Sequence, residues 1–418
     1  MINVEDQKTY RNFYYFLMGQ EFSLLGSSIV YFIISWWIAV ETDSAFYLAI
    51  SSVLYFIPQI IIAPIAGVIS DKVSRKFIII LVDSFQAFIT FGLFLLFTFN
   101  LINIWFILVI NSIRSILQAF HVPTFHAIVP SMVPKERLNR VNSINSLFSS
   151  LIFTVGPILA GALYEIFPIN QILMIDIITF LTALIPILLI TIPRVGLPKE
   201  EKKEKSSFFK EFKIGINAVK STPGLLSLIL LAMLLNFLNR PFSDLLPLFI
   251  KNIHNGTAIE LAFVGSFMSI ANIVGSFINS FKKEWKSKTL IIMIGSITIY
   301  IGYLFLVFSP YRFFIIMGIG LFISGISFNF ILINYMTILQ SAVPKDKVGR
   351  ITSLDHSITF AIMPLGSLTA GILAELIGIK IVYFTNIIIA ILIAILIWIF
   401  SGINKLDNIS EQDHQIMF

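Results

Sequence analysis

The chain has 418 residues, of which 57% are hydrophobic and 12% charged, with 41 Phe and a net charge of +6. A soluble chain is about a quarter charged, so this composition excludes a soluble globular domain and implies an integral membrane protein. No Cys is present, which excludes disulfides, thiolate metal sites and cysteine nucleophiles.

The first residues, "MINVEDQKTYRNF", are polar and lack a short apolar core with a small-residue cleavage site, so the first hydrophobic run is expected to remain in the mature chain. A span takes about 20 apolar residues, and a helix satisfies its own backbone polar groups in hydrocarbon. Apolar runs broken by charge or by Pro, Gly and Asn predict twelve helices. The first six lie at 13 to 40, 45 to 70, 77 to 99, 102 to 130, 138 to 166 and 169 to 192. The second six lie at 222 to 250, 258 to 281, 289 to 309, 312 to 342, 348 to 377 and 379 to 402. This divides the chain into a bundle of residues 1–192, a charged linker 193–221, a second bundle 222–402 and a tail 403–418.

Of the 29 Lys and Arg, all but Arg114, Arg240, Lys251, Arg312 and Lys380 fall on the side holding the N-terminus and the linker. The positive-inside rule makes that side cytoplasmic, with both termini on it. The same asymmetry puts the positive charge at membrane boundaries, so no nucleic-acid partner is expected.

Ionisable residues inside apolar segments mark functional candidates. In chain order the first is Glu21, beside Gln20 and two to three turns into the first helix. It reads either as a coupling or substrate carboxyl or as a cavity-facing structural acid. Asp83 and Asp176 are single acids in the third and sixth helices, suited to polar contacts between helices, and Arg114 lies about three turns inside the fourth. An unpaired cation there would be costly, so Arg114 needs a partner or a water-filled cavity. His121 and His126 are five apart and share no helix face, so no metal site follows. In the seventh helix, Arg240 and Asp244 are spaced for an intrahelical ion pair, Asn236 and Asn239 add hydrogen-bonding groups, and Pro241 and Pro247 predict a bend. The pair reads equally as cavity lining or as self-neutralisation. Asp355-His356 near the start of the eleventh helix reads as a solvated helix end, with gating polarity as the other reading.

"VPKERLNRVNS" from Val133 recurs 210 positions later as "VPKDKVGRITS" from Val343. At the same offset Arg140 meets Arg350, Gly156 meets Gly366, Gly161 meets Gly371 and Glu165 meets Glu375. Two six-helix halves therefore repeat one unit. Parallel repeats of this kind characterise one class of secondary transporters, which rock the halves about a midplane site.

These features resemble the major facilitator superfamily. "GVISDKVSRK", Gly67 to Lys76, is similar to that family's signature loop, with Gly67, Asp71, Arg75 and Lys76 matching. The resemblance implies a cytoplasmic gating latch, in which Gly67 allows close helix approach and the Asp71 carboxylate meets a helix N-terminus or an Arg. "NSIRSILQAFHVP" resembles the Arg-containing motif of the fourth helix. "TVGPILAG" supplies Gly156, Pro157 and Gly161 of the antiporter motif, without its upstream glycines. "GQEFSLLGSS", "IRSILQAFHVPTFHAIVPSMVPKERLNR" and "LLPLFIKNIHNG" resemble the branch holding macrolide-efflux and siderophore-export proteins. By analogy with multidrug antiporters of the family, Glu21 is expected to pair with Arg114.

The resemblance implies an all-α membrane fold of two six-helix bundles related by a pseudo-two-fold axis, in the cell membrane. It implies a proton-coupled exporter of lipophilic compounds such as macrolides, working as a monomer, with the proton gradient in place of a cofactor. No P-loop is present to use ATP, and no nucleophile, base and orienter occur together as in an enzyme. The abundant Phe, with 11 Met and 5 Trp, offers apolar surface to bulky ligands and to membrane lipids. Export of an endogenous metabolite or siderophore, and a non-transporting membrane scaffold, are the alternatives.

Overall fold

The computed structural model describes residues 4–193, 216–217, 219–282, 285–343 and 348–408, leaving aside the side chains of 4–8, 71, 349–350 and 408. Every regular element among them is helical. The first six helices are α1 (Val4–Thr42), α2 (Ala45–Lys72), α3 (Arg75–Thr98), α4 (Ile104–Met132), α5 (Leu138–Ile166) and α6 (Ile169–Leu189). The next eight are α7 (Leu225–Asp244), α8 (Leu246–His254), α9 (Ala258–Ser280), α10 (Lys288–Val307), α11 (Phe314–Ser341), α12 (Val348–Ala361), α13 (Met363–Ile377) and α14 (Ile379–Phe400). Within these, 12 stretches are long and apolar enough to cross a membrane, α12 and α13 together forming one of them.

Two spans are interrupted. The seventh breaks at Leu245 into α7 and α8, with Pro247 in the first turn of α8, where a missing N–H costs nothing. The eleventh breaks at Ile362, with Pro364 in the first turn of α13.

The chain forms two compact units, one of Met1–Glu201 with Gly256–Ala262 and the other of Lys202–Asn255 with Phe263–Phe418. In the first unit α1 packs on α5 and α6, α2 on α4, and α3 on α4 and α6. In the second, α7 packs on α13 and α14, and α10 on α11 and α14. At the sequence offset of the repeat, α7 stands for α1, α10 for α3 and α14 for α6, so the repeat extends to packing. Phe13, Phe16 and Leu17 of α1 are fully buried against Ile79, Ile128 and Ile187. Leu225, Leu228 and Ile229 of α7 are buried with Ile338, Ile351 and Leu354.

Lipid tails are as apolar as Leu, so close packing rather than water exclusion holds such helices together. The tightest crossing in the second unit is α10 on α11, where a methyl added at Gly302 would overlap the Gly320 carbonyl and one at Gly320 the Gly302 carbonyl.

Two stretches bear on the expected boundaries. Helical residues at 216–217 and 219–221, with Val219 buried, extend folded structure into the end of the expected linker. The expected tail begins as a 3-10 helix, Ile403–Asn408, with Ile403 and Leu406 buried in the second unit. The Asp407 carboxylate accepts from the Lys288 and Thr289 N–H groups at 2.8 and 3.1 Å and from the Ser287 and Thr289 hydroxyls, both at 2.6 Å. It thereby caps the N-terminus of α10, whose first amides have no partner within the helix. Residues 409–418 lie outside the described residues.

Candidate functional site

The polar interior of the first unit holds three buried carboxyls in three different settings. Asp176 on α6 is fully buried and its Oδ2 accepts from Thr90 Oγ1 at 2.8 Å and Arg114 Nη2 at 3.3 Å. Ser27 on α1 donates to Oδ1 at 3.3 Å, and Arg114 Nη1 also donates to Thr90 at 3.0 Å. One carboxylate and one guanidinium therefore neutralise each other among four helices. The expected partner of Arg114 was Glu21, but the guanidinium of α4 turns toward α3 and α6.

Asp83 on α3 is 1% exposed. Its Oδ2 accepts from Gln20 Nε2 at 3.0 Å, and the Gln20 Oε1 lies 2.7 Å from His121 Nε2. Gln20 thus bridges an acid of α3 and an imidazole of α4. Among the described residues no group of three His, Asp or Glu is placed to hold a metal, His121 included. Its place in a hydrogen-bonded cluster is new.

Glu21 follows Gln20 by about 100° around α1 and faces α5 instead. It is 6% exposed. Ser149 Oγ reaches its Oε1 at 3.5 Å, long for an O–H···O hydrogen bond, and Oε2 has no partner among the described residues. One turn before Ser149, Asn145 Oδ1 is likewise buried without a partner. The α1–α5 contact is close because Gly156 admits it: a methyl there would come within 2.9 Å of Ser28 Cβ. At Gly161, one turn past Pro157, an added methyl would lie 2.9 Å from the carbonyl oxygen of Ala258, a residue of the same unit.

In the second unit Arg240 and Asp244 form the expected intrahelical ion pair. Arg240 Nε also donates to Ser367 Oγ on α13 at 3.2 Å. Asn236, one turn earlier, is half-buried, while Asn239 Oδ1 accepts from Tyr303 Oη at 2.6 Å. Asp355 departs from the solvated reading, since it is 3% exposed and accepts from the Tyr335 hydroxyl of α11. His356 beside it is exposed and stacks on Phe360, ring centroids 4.0 Å apart.

The signature loop ties helix ends within its own unit. Arg75 Nη1 donates to the Ala127 carbonyl of α4 at 2.8 Å, and Lys76 Nζ to the Leu188 and Ile190 carbonyls at 3.0 and 2.7 Å. Both meet carbonyl-rich ends where a cation is favoured. Nothing described lies within 4 Å of a methyl added at Gly67. Arg140 is exposed, and the side chains of Asp71 and Arg350 lie outside those described.

Sequence reasoning singled out each of these acids and paired Asp244 with Arg240, but did not find the partners of the others. Thr90, Ser27, Ser149 and Tyr335 carry no sequence signal, being common residues on apolar helices.

A profile of the Major Facilitator Superfamily matches residues 16–364. Macrolide efflux protein A of Streptococcus pyogenes is 27% identical over 395 residues, covering 94% of this chain and 97% of that protein. The staphyloferrin A transporter of Staphylococcus aureus is 21% identical over 366 residues, covering 87% and 90%. Among solved structures, a bacterial homolog of the human lysosomal transporter Spinster matches with a TM-score of 0.73 at 14% identity, covering 97% of this chain and 99% of that one. A bacterial homologue of the iron transporter ferroportin gives 0.71 at 14% identity, covering 93% and 98%. With twelve apolar helices, a repeated six-helix packing and this match over most of its length, the chain belongs to the Major Facilitator Superfamily of transporters.

Proposed function

We propose that this protein exports lipophilic small molecules, macrolides among them, in exchange for protons by alternating access. The observation that carries the reading is Glu21. Asp176 has a guanidinium and Asp83 an amide that is itself bonded to an imidazole, whereas Glu21 is buried with one carboxyl oxygen unpartnered among the described residues. A carboxyl so placed holds a proton while its surroundings are dry and carries charge when water or a cationic ligand reaches it. That alternation is what exchange requires. The likeness to macrolide efflux protein A over nearly all of both chains supports the substrate class, and "TVGPILAG" on α5 supports exchange over uptake. The charge asymmetry supports a place in the cytoplasmic membrane with both termini inside. Small lipophilic substrates and lipids suffice as partners for a monomer, with the proton gradient as energy source.

The likeness to the staphyloferrin A transporter favours a second reading, export of a polar metal chelator or another endogenous metabolite. The test is accumulation of radiolabelled macrolide in an efflux-deficient bacterial host, with and without a protonophore, for wild type and Glu21→Gln. Reduced accumulation that the protonophore and Glu21→Gln each abolish supports the proposal. A well-expressed wild type that leaves macrolide accumulation unchanged overturns the substrate class and sends the screen to chelators.

A further inference from the structure

The Gln20 amide sits between a carboxyl and an imidazole on two other helices, and the distances say which pairs bond. His121 Nε2 is 2.7 Å from Gln20 Oε1 but 3.6 Å from Asp83 Oδ1. The second distance exceeds the hydrogen-bonding range, so the imidazole N–H points at the amide and not at the carboxylate. Gln20 Nε2 donates in turn to Asp83 Oδ2. In this arrangement Asp83 Oδ2 is an acceptor, as an ionised carboxylate can be, and His121 carries a proton on Nε2.

An amide has a donor and an acceptor on one planar group, so turning it by half a revolution exchanges the two without moving any heavy atom far. We propose that Gln20, Asp83 and His121 form a proton-binding switch in which proton uptake by Asp83 turns the Gln20 amide over. The Asp83 carboxylate takes one proton from water, forming an O–H that donates to Gln20 Oε1. Gln20 Nε2 then donates to His121 Nε2, which has given up its proton while Nδ1 has gained one. The net change is one proton bound, on Asp83, and a tautomer change on His121. Both hydrogen bonds of the triad are kept in both states, so the cluster holds α1, α3 and α4 together while its charge changes.

The surroundings suit this role. The His121 side chain retains 18% exposure, a route for proton exchange, while Asp83 has 1%. Phe125 lies parallel to the imidazole with ring centroids 6.4 Å apart, and Phe16 stacks on Phe125 at 5.6 Å. Besides Asp83, the charge that acts on His121 is that of His126. Glu21 of α1 faces α5, Arg114 of α4 is held by Asp176 of α6, and His126 of α4 is exposed. Gln86 of α3 donates to Gln118 of α4 at 3.4 Å, so the neighbouring turn is neutral. The backbone continuity of Gln20 with Glu21 puts the amide of the switch and a second carboxyl on consecutive residues of α1, facing different helices. The role in transport rests on the exporter reading; the switch itself does not.

The test uses the full-length protein in lipid nanodiscs, labelled at histidine for solid-state nuclear magnetic resonance, with infrared difference spectra recorded on acidification. The His121 signal is assigned by its loss in His121→Asn. The expected result is a change of His121 from the Nε2–H to the Nδ1–H tautomer, together with a carboxylic-acid carbonyl band that Asp83→Asn removes and Glu21→Gln retains. Formation of an imidazolium at His121 with Asp83 still ionised overturns the proposal, as does an Nε2–H tautomer at every pH. If Asp83→Asn does not fold, the wild-type histidine spectrum decides alone. A switching triad in a protein whose transport ignores the protonophore sinks the exporter reading and leaves the switch. Proton-driven transport with an unchanging His121 sinks only the switch.

Discussion

Arg114 Nη2 lies 3.3 Å from Asp176 Oδ2, the guanidinium 13% and the carboxyl 0% exposed, which makes this pair part of the scaffold of the first unit. Removing one member leaves the other as an uncompensated buried charge, a loss of about 3–5 kcal/mol. Arg114→Leu and Asp176→Leu are each expected to lower the melting temperature in detergent sharply. The double variant should recover much of that loss, because no lone charge remains. A double variant less stable than both singles would contradict a neutralising pair.

Glu21 differs because it has no cation to abandon. Glu21→Gln keeps the shape and a donor for the same space, so its cost should stay within about 1 kcal/mol. Unchanged expression and melting, with proton-driven transport lost, is the expected outcome. Ser149→Ala removes only a 3.5 Å contact and should leave both stability and transport nearly intact. Direct measurement of both variants beside Arg114→Leu separates a coupling carboxyl from a structural one.

The twelve spans were legible because lipid imposes a long apolar run on every crossing, and the repeat was legible because it is written in residues. The buried partners were not. Arg114 reads as needing an acid, yet α1, α3 and α6 each offer one, and only the rotation of α4 selects Asp176 over Glu21. Gln20 reads as a neighbour of Glu21, although consecutive helical residues face different helices. Asp355 reads as solvated from its charged surroundings, whereas a single turn of α12 carries it under Tyr335. Residues 403–408 read as a tail because Lys405 and Asp407 interrupt the apolar pattern, which hides that Ile403 and Leu406 share one buried side.

Asp407 holds four donors at the start of α10. Asp407→Ala leaves Thr289, which is 0% exposed, with a buried hydroxyl unpaired. Loss of a cap costs about 1 kcal/mol and an unsatisfied buried group about 1–3 kcal/mol more. A melting temperature lowered by several degrees is expected, with Asp407→Asn intermediate because it keeps one acceptor. Truncation after residue 402 should destabilise at least as much, since it also removes Ile403 and Leu406 from the core. A truncated protein that melts with wild type would return this segment to the status of a tail.

His254 ends α8, outside the membrane spans, and is 1% exposed between Phe249 and Phe314. The Arg312 N–H donates to its Nδ1 at 3.3 Å, which requires that nitrogen to be unprotonated. Burial first, and the Lys380 ammonium second, push its pKa below the ordinary value. As pH falls through about 6.5, the unfolded chain takes up this proton before the folded one does, so stability present at neutral pH is lost on acidification. Protonation also removes the acceptor for Arg312. Wild type should therefore lose more melting temperature than His254→Gln between about pH 7.5 and about pH 5. His254→Gln cannot titrate, so the difference between the two curves isolates this one group from every other acid and base. Parallel curves would mean that His254 takes up its proton at the same pH in the folded and unfolded chain, and that the contact with Arg312 is not what holds the α8 turn.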